Sequence, residues 1–213
     1  MQVHRELSGK GTIFIISAPS GTGKTTICKE IIRQIPDIKF SVSYTTRAKR
    51  KGEVNGVDYF FISNNDFEKK IKANFFIEWA DVYGEKYGTS ADFINKTISS
   101  GKDVLLEIDV QGAKNIKSIF EHAIAIFILP PSIQELEKRM KQRNENSESD
   151  MALRLRQARD EIMQSTFYDY IVINDDLNSA IEKIKSIIVA ERHKQVRMKD
   201  IILSKFIKNE KRG

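Results

Sequence analysis

Along this chain, short unbroken apolar runs alternate with longer segments in which apolar residues recur every three or four positions. Residues 12–17, 103–108 and 123–129 are dominated by Ile, Phe, Leu, Val and Ala with no alternating polar face, which predicts strands buried on both sides. Residues 39–43 and 170–173 are shorter strand candidates. Between them, residues 24–34, 90–100, 111–120 and 132–142 carry helical spacing, and a longer helix begins near Asn178 with Ile181, Ile184 and Ile188 on one stripe. Ser132 and Glu135 form a capping box, and Pro130 and Pro131 close the strand before it. This alternation predicts an α/β fold, a parallel sheet with helices on both faces.

Two regions break the alternation. Residues 41–89 are rich in strand formers and basic turns rather than helix, which predicts an inserted, partly antiparallel unit. Residues 139–156 combine arginines with the polar stretch from Asn144 to Ser149, which predicts a helix-flanked lid. Ligands in α/β folds bind where the carboxyl ends of the strands open, so insertions at that edge are natural site builders.

Composition narrows the class without naming a chemistry. A chain of 213 residues, 40% hydrophobic and 30% charged, with four Pro and eleven Gly, suits one ordinary domain and excludes collagenous, mucin-like or largely disordered chains. The longest apolar run, residues 123–129, is too short to span a bilayer, and residues 1–6 lack the apolar core of a signal peptide. A cytoplasmic protein with no membrane partner is expected. The one cysteine, Cys28, excludes a disulfide framework, and His4, His122 and His193 share no metal spacing. The net charge of +6 is concentrated at the end: residues 191–213 hold eight Lys/Arg against three Asp/Glu, or +5. The remainder is nearly neutral, so a solvated basic tail is expected rather than a nucleic-acid surface.

The strongest chemical signal is Ala18-Pro19-Ser20-Gly21-Thr22-Gly23-Lys24-Thr25, between a predicted strand and a predicted helix. It matches the P-loop pattern at every fixed position except the first, where Ala18 replaces Gly. Such a loop wraps backbone N–H groups around phosphate at the positive end of a helix. Lys24 would reach the β- and γ-phosphates and the Thr25 hydroxyl would ligate Mg²⁺, so binding of a nucleoside triphosphate is expected. Asp109, closing the strand over 103–108, could hold a water of the Mg²⁺ shell or a second substrate. Asp109-x-x-Gly112 also fits a GTPase switch, but the guanine reader such proteins need is missing: Asn95-Lys96 is followed by Thr97-Ile98.

Arg47 and Arg50, three apart and followed by Tyr59, suit a clamp for a phosphate dianion. Glu78, in Phe76-Ile77-Glu78-Trp79-Ala80, could serve a site or pair with a local lysine. Arg139 and Arg143 are four apart on one helical face, and Arg154 follows the polar lid, a set able to close over transferring phosphates. Phe60-Phe61 and Phe75-Phe76 are read as packing.

Taken in order, the P-loop, Ser43-x-Thr45-Thr46-Arg47-x-x-Arg50-x-Gly52-Glu53, Phe76 to Ala80, Tyr87-Gly88-Thr89-Ser90 and Ile108-Asp109-x-Gln111-Gly112 closely resemble guanylate kinase, the bacterial enzyme, from about Gly11 to about Arg192. Residues 128–132 and 173–176 extend the likeness. The resemblance implies a P-loop NTPase three-layer fold with a five-stranded parallel sheet, a mixed-β insert and a helical lid. It implies conversion of GMP and ATP to GDP and ADP, in purine metabolism and GMP recycling, with Mg²⁺ accompanying ATP. One domain over 8–195 would comprise a core (about 8–40, 90–130 and 155–195), a GMP-binding insert (41–89) and a lid (131–154), leaving 196–213 as the basic tail.

By the same resemblance, residues Ala18 to Thr26 hold ATP, and Asn174 lies in the segment that contacts adenine. Ser43, Arg47, Arg50, Tyr59, Glu78, Tyr87, Thr89 and Asp109 would surround GMP. Arg47, Arg50, Tyr59 and Tyr87 would hold its phosphate. Glu78 would accept from the guanine N1–H and amine, with Ser43 and Thr89 completing recognition. Arg139, Arg143 and Arg154 match the lid and its flank, and act with Lys24 in catalysis. Three positions depart from the family pattern: Lys49 stands where Pro is common, Glu107 where Asp is usual, and Asn144 where Gly follows Arg143. Two other readings of the same motifs are a non-catalytic interaction module and a kinase for another small phosphorylated substrate.

Overall fold

A computed structural model describes residues 11–82, 84–142 and 148–207. In chain order the elements are β1 (Ile13–Ser17), α1 (Lys24–Gln34), β2 (Ile38–Phe40), β3 (Tyr44–Thr45), β4 (Phe60–Phe61), α2 (Asn64–Lys72), β5 (Phe76–Val82) and β6 (Glu85–Ser90). There follow α3 (Ala91–Ser99), β7 (Asp103–Glu107), α4 (Val110–Ile119), β8 (Ile124–Leu129), α5 (Ile133–Gln142) and α6 (Glu148–Met163). A 3₁₀ turn (Gln164–Phe167), β9 (Tyr170–Ile173), α7 (Leu177–Arg192), α8 (Gln195–Ile202) and a π turn (Leu203–Ile207) complete the described chain.

The central sheet has five parallel strands in the order β2-β7-β1-β8-β9. Its near-continuous apolar strands follow from burial on both faces, because successive side chains point to opposite sides. Phe14 and Ile16 of β1 join Ile27 and Ile31 of α1 and Ile181, Ile184 and Ile188 of α7 in one core. Ile13 and Ile15 turn the other way, onto Ile94 and Ile98 of α3 and Ala113 and Ile116 of α4. Cys28 is buried within the first of these cores.

The second sheet, order β4-β3-β6-β5, is mixed: β3 pairs with β4 in parallel and with β6 antiparallel. The strand expected over 39–43 stops early, and residues 41–43 belong to no strand. Only Ile38–Phe40 stays in the central sheet, and Tyr44–Thr45 belongs to the second. The region expected to lack helix contains α2. Ser63 caps it, its Oγ accepting from the Asp66 N–H at 3.1 Å, and three lysines fill its last turn. The predicted cap of α5 forms, with Glu135 N–H donating to Ser132 Oγ at 3.1 Å.

The start of the basic tail is tied down at the amino edge of the sheet. Arg192 donates to Asp103 at 2.7 Å and to the Pro36 carbonyl at 2.9 Å. Arg197, on α8, donates to the Thr12 hydroxyl and to the His122 carbonyl. These two cations therefore meet the sheet rather than standing free in solvent. Residues 208–213 of the tail, 8–10 at the expected domain start, and Arg143 and Asn144 lie outside the described residues.

Candidate active site

At the carboxyl end of β1 the chain enters a loop that only glycine builds easily. Gly21 (φ +89°) and Gly23 (φ +96°) lie in the left-handed region, which a Cβ disfavours. Ala18 takes an ordinary backbone: among the described residues, the only non-glycines with positive φ are Asp37 and Asn74. The missing first glycine of the pattern therefore introduces no strain. Met140 and Leu136 of α5 back the loop at Gly21, where an added Cβ would meet Met140 Cγ at 3.2 Å.

Lys24 and Thr25 open α1. Lys24 Nζ donates to the Ile108 carbonyl at 3.4 Å, and Thr25 Oγ1 donates to Glu107 Oε1 at 2.6 Å. Sequence placed a carboxylate near Thr25 through Asp109, but the side chain found on Thr25 is Glu107. β7 lies beside β1 in parallel, and its last residue reaches the P-loop threonine from there. Asp109 instead caps α4, its Oδ1 accepting from Gly112 N–H at 2.9 Å.

The loop opens into a cavity of about 260 Å³, lined by residues Ala18 to Thr26 and by Ser43, Tyr59, Glu78, Tyr87 and Asp109. Glu107 and Glu161 complete its acidic lining. A second cavity, about 530 Å³, shares Thr25, Ser43, Tyr59, Tyr87 and Glu107 with the first and adds Arg47 and Arg50. The structure thus brings together most of the residues expected around both nucleotides.

Glu78 reaches the cavity through the second sheet. β5 and β6 run antiparallel with Glu78 opposite Thr89, after a register irregularity between Phe76 and Glu78. Bulges of this kind re-aim side chains. Thr89 Oγ1 donates to Glu78 Oε1 at 2.5 Å, and Glu78 is only 7% exposed. Burial pushes its carboxyl up to about 7, the Thr89 hydroxyl pulls the other way, and the charge of Asp109 adds to the rise. Gly88, between Tyr87 and Thr89, has no room for a side chain: a Cβ would lie 2.8 Å from Phe76 Cδ1.

Arg47 and Arg50, the pair expected to clamp phosphate, are braced by a residue to which the sequence assigned no role. Glu53 takes Arg47 in a fork, at 2.7 and 3.2 Å, and accepts from the Arg50 N–H at 2.7 Å. Burial alone would raise the Glu53 carboxyl, yet Arg47 and the Arg50 N–H hold it below its usual range. Arg47 also lies over the Tyr59 ring, 5.3 Å from its centroid. Burial, chiefly, and the charge of Glu107 raise the Tyr59 phenol, which therefore stays a donor. Arg50 is exposed.

Arg139 does not line the cavity. Its Nε donates to Glu135 at 3.1 Å and its guanidinium to the Asn174 carbonyl at 3.3 Å. Arg154 is half-buried on α6 and likewise lies outside the cavity lining. Glu161, also on α6, was not foreseen. Burial pushes its carboxyl up to about 7 against the pull of Lys24, and Asp109 raises it further. Arg154, Ala158 and Glu161 fall at one helical face by spacing, a signal in the sequence that could have paired the last with the first. Among the described residues, no three His, Cys, Asp or Glu side chains converge as a metal cage.

A protein-family model described as Guanylate kinase matches residues 10–191. The guanylate kinase of Geobacter sulfurreducens is 44% identical over 197 residues, covering 92% of this chain and 97% of the relative. That of Clostridium tetani is 48% identical over 194 residues, covering 91% and 93%. A crystal structure of guanylate kinase from Anaplasma phagocytophilum superposes with a TM-score of 0.78 at 32% identity, covering 95% of this chain and 98% of that one.

Proposed function

This chain belongs to the guanylate kinase family and is an ATP:GMP phosphotransferase, and on that premise we propose which of its residues carry each part of the reaction. The observation that supports the assignment is one cavity lined jointly by the P-loop and by Ser43, Tyr59, Glu78, Tyr87 and Asp109. A triphosphate grip and an acceptor site that share walls can align two phosphates. That alignment is most of what phosphoryl transfer asks of a protein.

ATP rests its phosphates on the backbone N–H groups of residues Ala18 to Thr26, with Lys24 on the β- and γ-phosphates. GMP places its phosphate against Arg47, Arg50, Tyr59 and Tyr87. Its base lies against Glu78, with Ser43, Thr89 and Asp109 around it. An oxygen of the GMP phosphate attacks the γ-phosphorus of ATP, the bond from that phosphorus to the β–γ bridging oxygen breaks, and ADP leaves as GDP forms. The GMP phosphate is ionised near neutral pH, its second pKa being about 6, so no general base is needed. Arg139, Arg143 and Arg154 close over the transferring group and exclude water, which prevents idle hydrolysis of ATP.

The donor set beside the P-loop fits Mg²⁺: a hydroxyl on Thr25 and a carboxylate on Glu107, 2.6 Å apart, are hard oxygen ligands. Mg²⁺ takes one or two carboxylates plus substrate phosphates rather than a closed protein cage. Thr25 and Glu107 would hold it, with Asp109 reaching it through water. When bound it would neutralise charge on the transferring phosphates. The proposed organisation is one domain over 8–195 with its insert at 41–89 and lid at 131–154, followed by a basic tail at 196–213 that takes no nucleic acid. Among the described residues no helix is long and apolar enough to cross a membrane. The proposed compartment is the cytoplasm, where both nucleotides are pooled.

A dinucleotide joining adenosine to guanosine through a linear chain of phosphates tests the shared cavity. It should compete with both ATP and GMP and bind about 100-fold tighter than either alone. Competition with only one of the two would separate the sites and overturn the assignment.

The raised carboxyl of Glu78 gives GMP binding a pH dependence. Two guanine donors need an ionised acceptor, and a group at about 7 is mostly protonated at pH 6 and mostly ionised at pH 8. The contribution of Glu78 to affinity should therefore rise roughly tenfold over that interval. Calorimetric titration of parent and Glu78→Gln isolates it, since the titration of the GMP phosphate is common to both. A parent-to-variant ratio that is flat between pH 6 and 8 would count against a buried acceptor.

A further inference from the structure

Asn174 sits where the chain leaves β9, and every polar contact the structure gives it points into the protein. Its N–H donates to the Leu129 carbonyl at 2.8 Å, continuing the β8–β9 ladder. Its carbonyl accepts from Arg139 of the lid helix at 3.3 Å. Its side-chain amide donates to the Thr22 carbonyl at 2.7 Å, within the P-loop and across 152 residues of sequence. The partner is a carbonyl oxygen, so the amide atom facing it must be the nitrogen. Asn174 is 5% exposed and Thr22 fully buried. The next loop residue is Gly23, at φ +96°, where an added Cβ would lie 3.0 Å from the same amide nitrogen.

These contacts place Asn174 behind the loop. The Thr22 carbonyl must turn away from the cavity if the neighbouring N–H groups are to face phosphate, and a buried carbonyl needs a donor. Asn174 supplies one. The backbone of the residue is fixed from β8 and from α5, so the amide arrives already oriented, and any side chain at Gly23 would press on it.

We propose that Asn174 is a positioning residue for the phosphate nest, holding the Thr22–Gly23 backbone through the Thr22 carbonyl rather than reading adenine. The proposal rests on the reading of residues Ala18 to Thr25 as the triphosphate site. It also gives the lid a physical link to that site, because the Arg139 guanidinium bonds to the backbone of the residue that braces the loop.

The two roles separate by the ligand used. Binding of ATP, GTP and inorganic tripolyphosphate, each with Mg²⁺, is measured calorimetrically on the full chain for the parent, Asn174→Ala and Asn174→Asp, with thermal unfolding alongside. Asp keeps the shape of the side chain but removes the donor, and it carries the test even if Asn174→Ala does not fold. A loop brace predicts that both variants weaken all three ligands by a similar factor, about tenfold, with the ATP-to-GTP preference and GMP binding unchanged. A purely space-filling role predicts an unchanged Asp variant, and that result would overturn the proposal. Loss of ATP affinity with tripolyphosphate unaffected would also overturn it, in favour of adenine contact. Lys24→Ala is the control: if it leaves tripolyphosphate binding unaltered, the triphosphate site lies elsewhere and the reading beneath the proposal falls with it.

Discussion

Glu78→Gln should collapse the preference for GMP over AMP. Guanine presents two adjacent donors, N1–H and the exocyclic amine, to a carboxylate that can accept both. Adenine has an unprotonated N1 and no 2-amine, so AMP leaves the carboxylate unsatisfied in a site where Glu78 is only 7% exposed. Sites built on such a buried hydrogen-bonding group reject the analogue lacking it by about 10⁴-fold or more. One Glu78 oxygen already accepts from Thr89 at 2.5 Å, which fixes the carboxylate plane relative to β6. A glutamine offers one acceptor in place of two and points an NH₂ at a guanine donor. The loss should appear mainly as weaker GMP, not as stronger AMP. A kcat/KM ratio for GMP against AMP that survives the substitution would move guanine recognition to other residues.

Lys24→Ala should lower kcat by about 10²- to 10³-fold, the scale on which one preorganised electrostatic group acts in a transition state. Lys24 is the first residue of α1 and is half-buried, and its ammonium is held over the cavity by the Ile108 carbonyl at 3.4 Å. No other described cation lines that cavity. The carboxylates of Glu78, Glu107, Asp109 and Glu161 share its walls, so removing Lys24 leaves a markedly anionic pocket facing a polyanionic substrate. In the proposed assignment the GMP phosphate rests on Arg47 and Arg50, which lie outside the cavity lining that contains Lys24, so GMP affinity and the thermal stability should change little. Turnover within about threefold of the parent would show that the P-loop is not where catalysis occurs.

What the sequence made legible was local. The P-loop has fixed spacing within eight residues, and the strands beside it are apolar on both faces, so pattern alone located them. The cap of α5 was legible for the same reason. α2 was missed because aromatic and β-branched neighbours masked a short helix with one buried residue, Phe67, although Ser63 and Asp66 gave it a start signal. Glu78 became a site residue only through the ordered motifs of a family. Its partner Thr89 is eleven residues away and meets it through the β5–β6 register. Contacts made by the tertiary fold were out of reach. Glu107 touches Thr25 across 82 residues and Asn174 touches Thr22 across 152, and neither spacing has a pattern to betray it. Arg197 read as tail charge because nothing local to it shows that Thr12 and His122 stand at the same sheet edge.

The most direct measurement is ATP-dependent ADP release in a coupled assay with GMP, AMP, CMP or UMP as acceptor, and with none. The structure predicts fast release with GMP alone, a kcat/KM for AMP lower by about 10⁴-fold, and negligible release without acceptor. Comparable rates with AMP or CMP, or ADP release that needs no acceptor, would contradict the assignment of one cavity to ATP and GMP together.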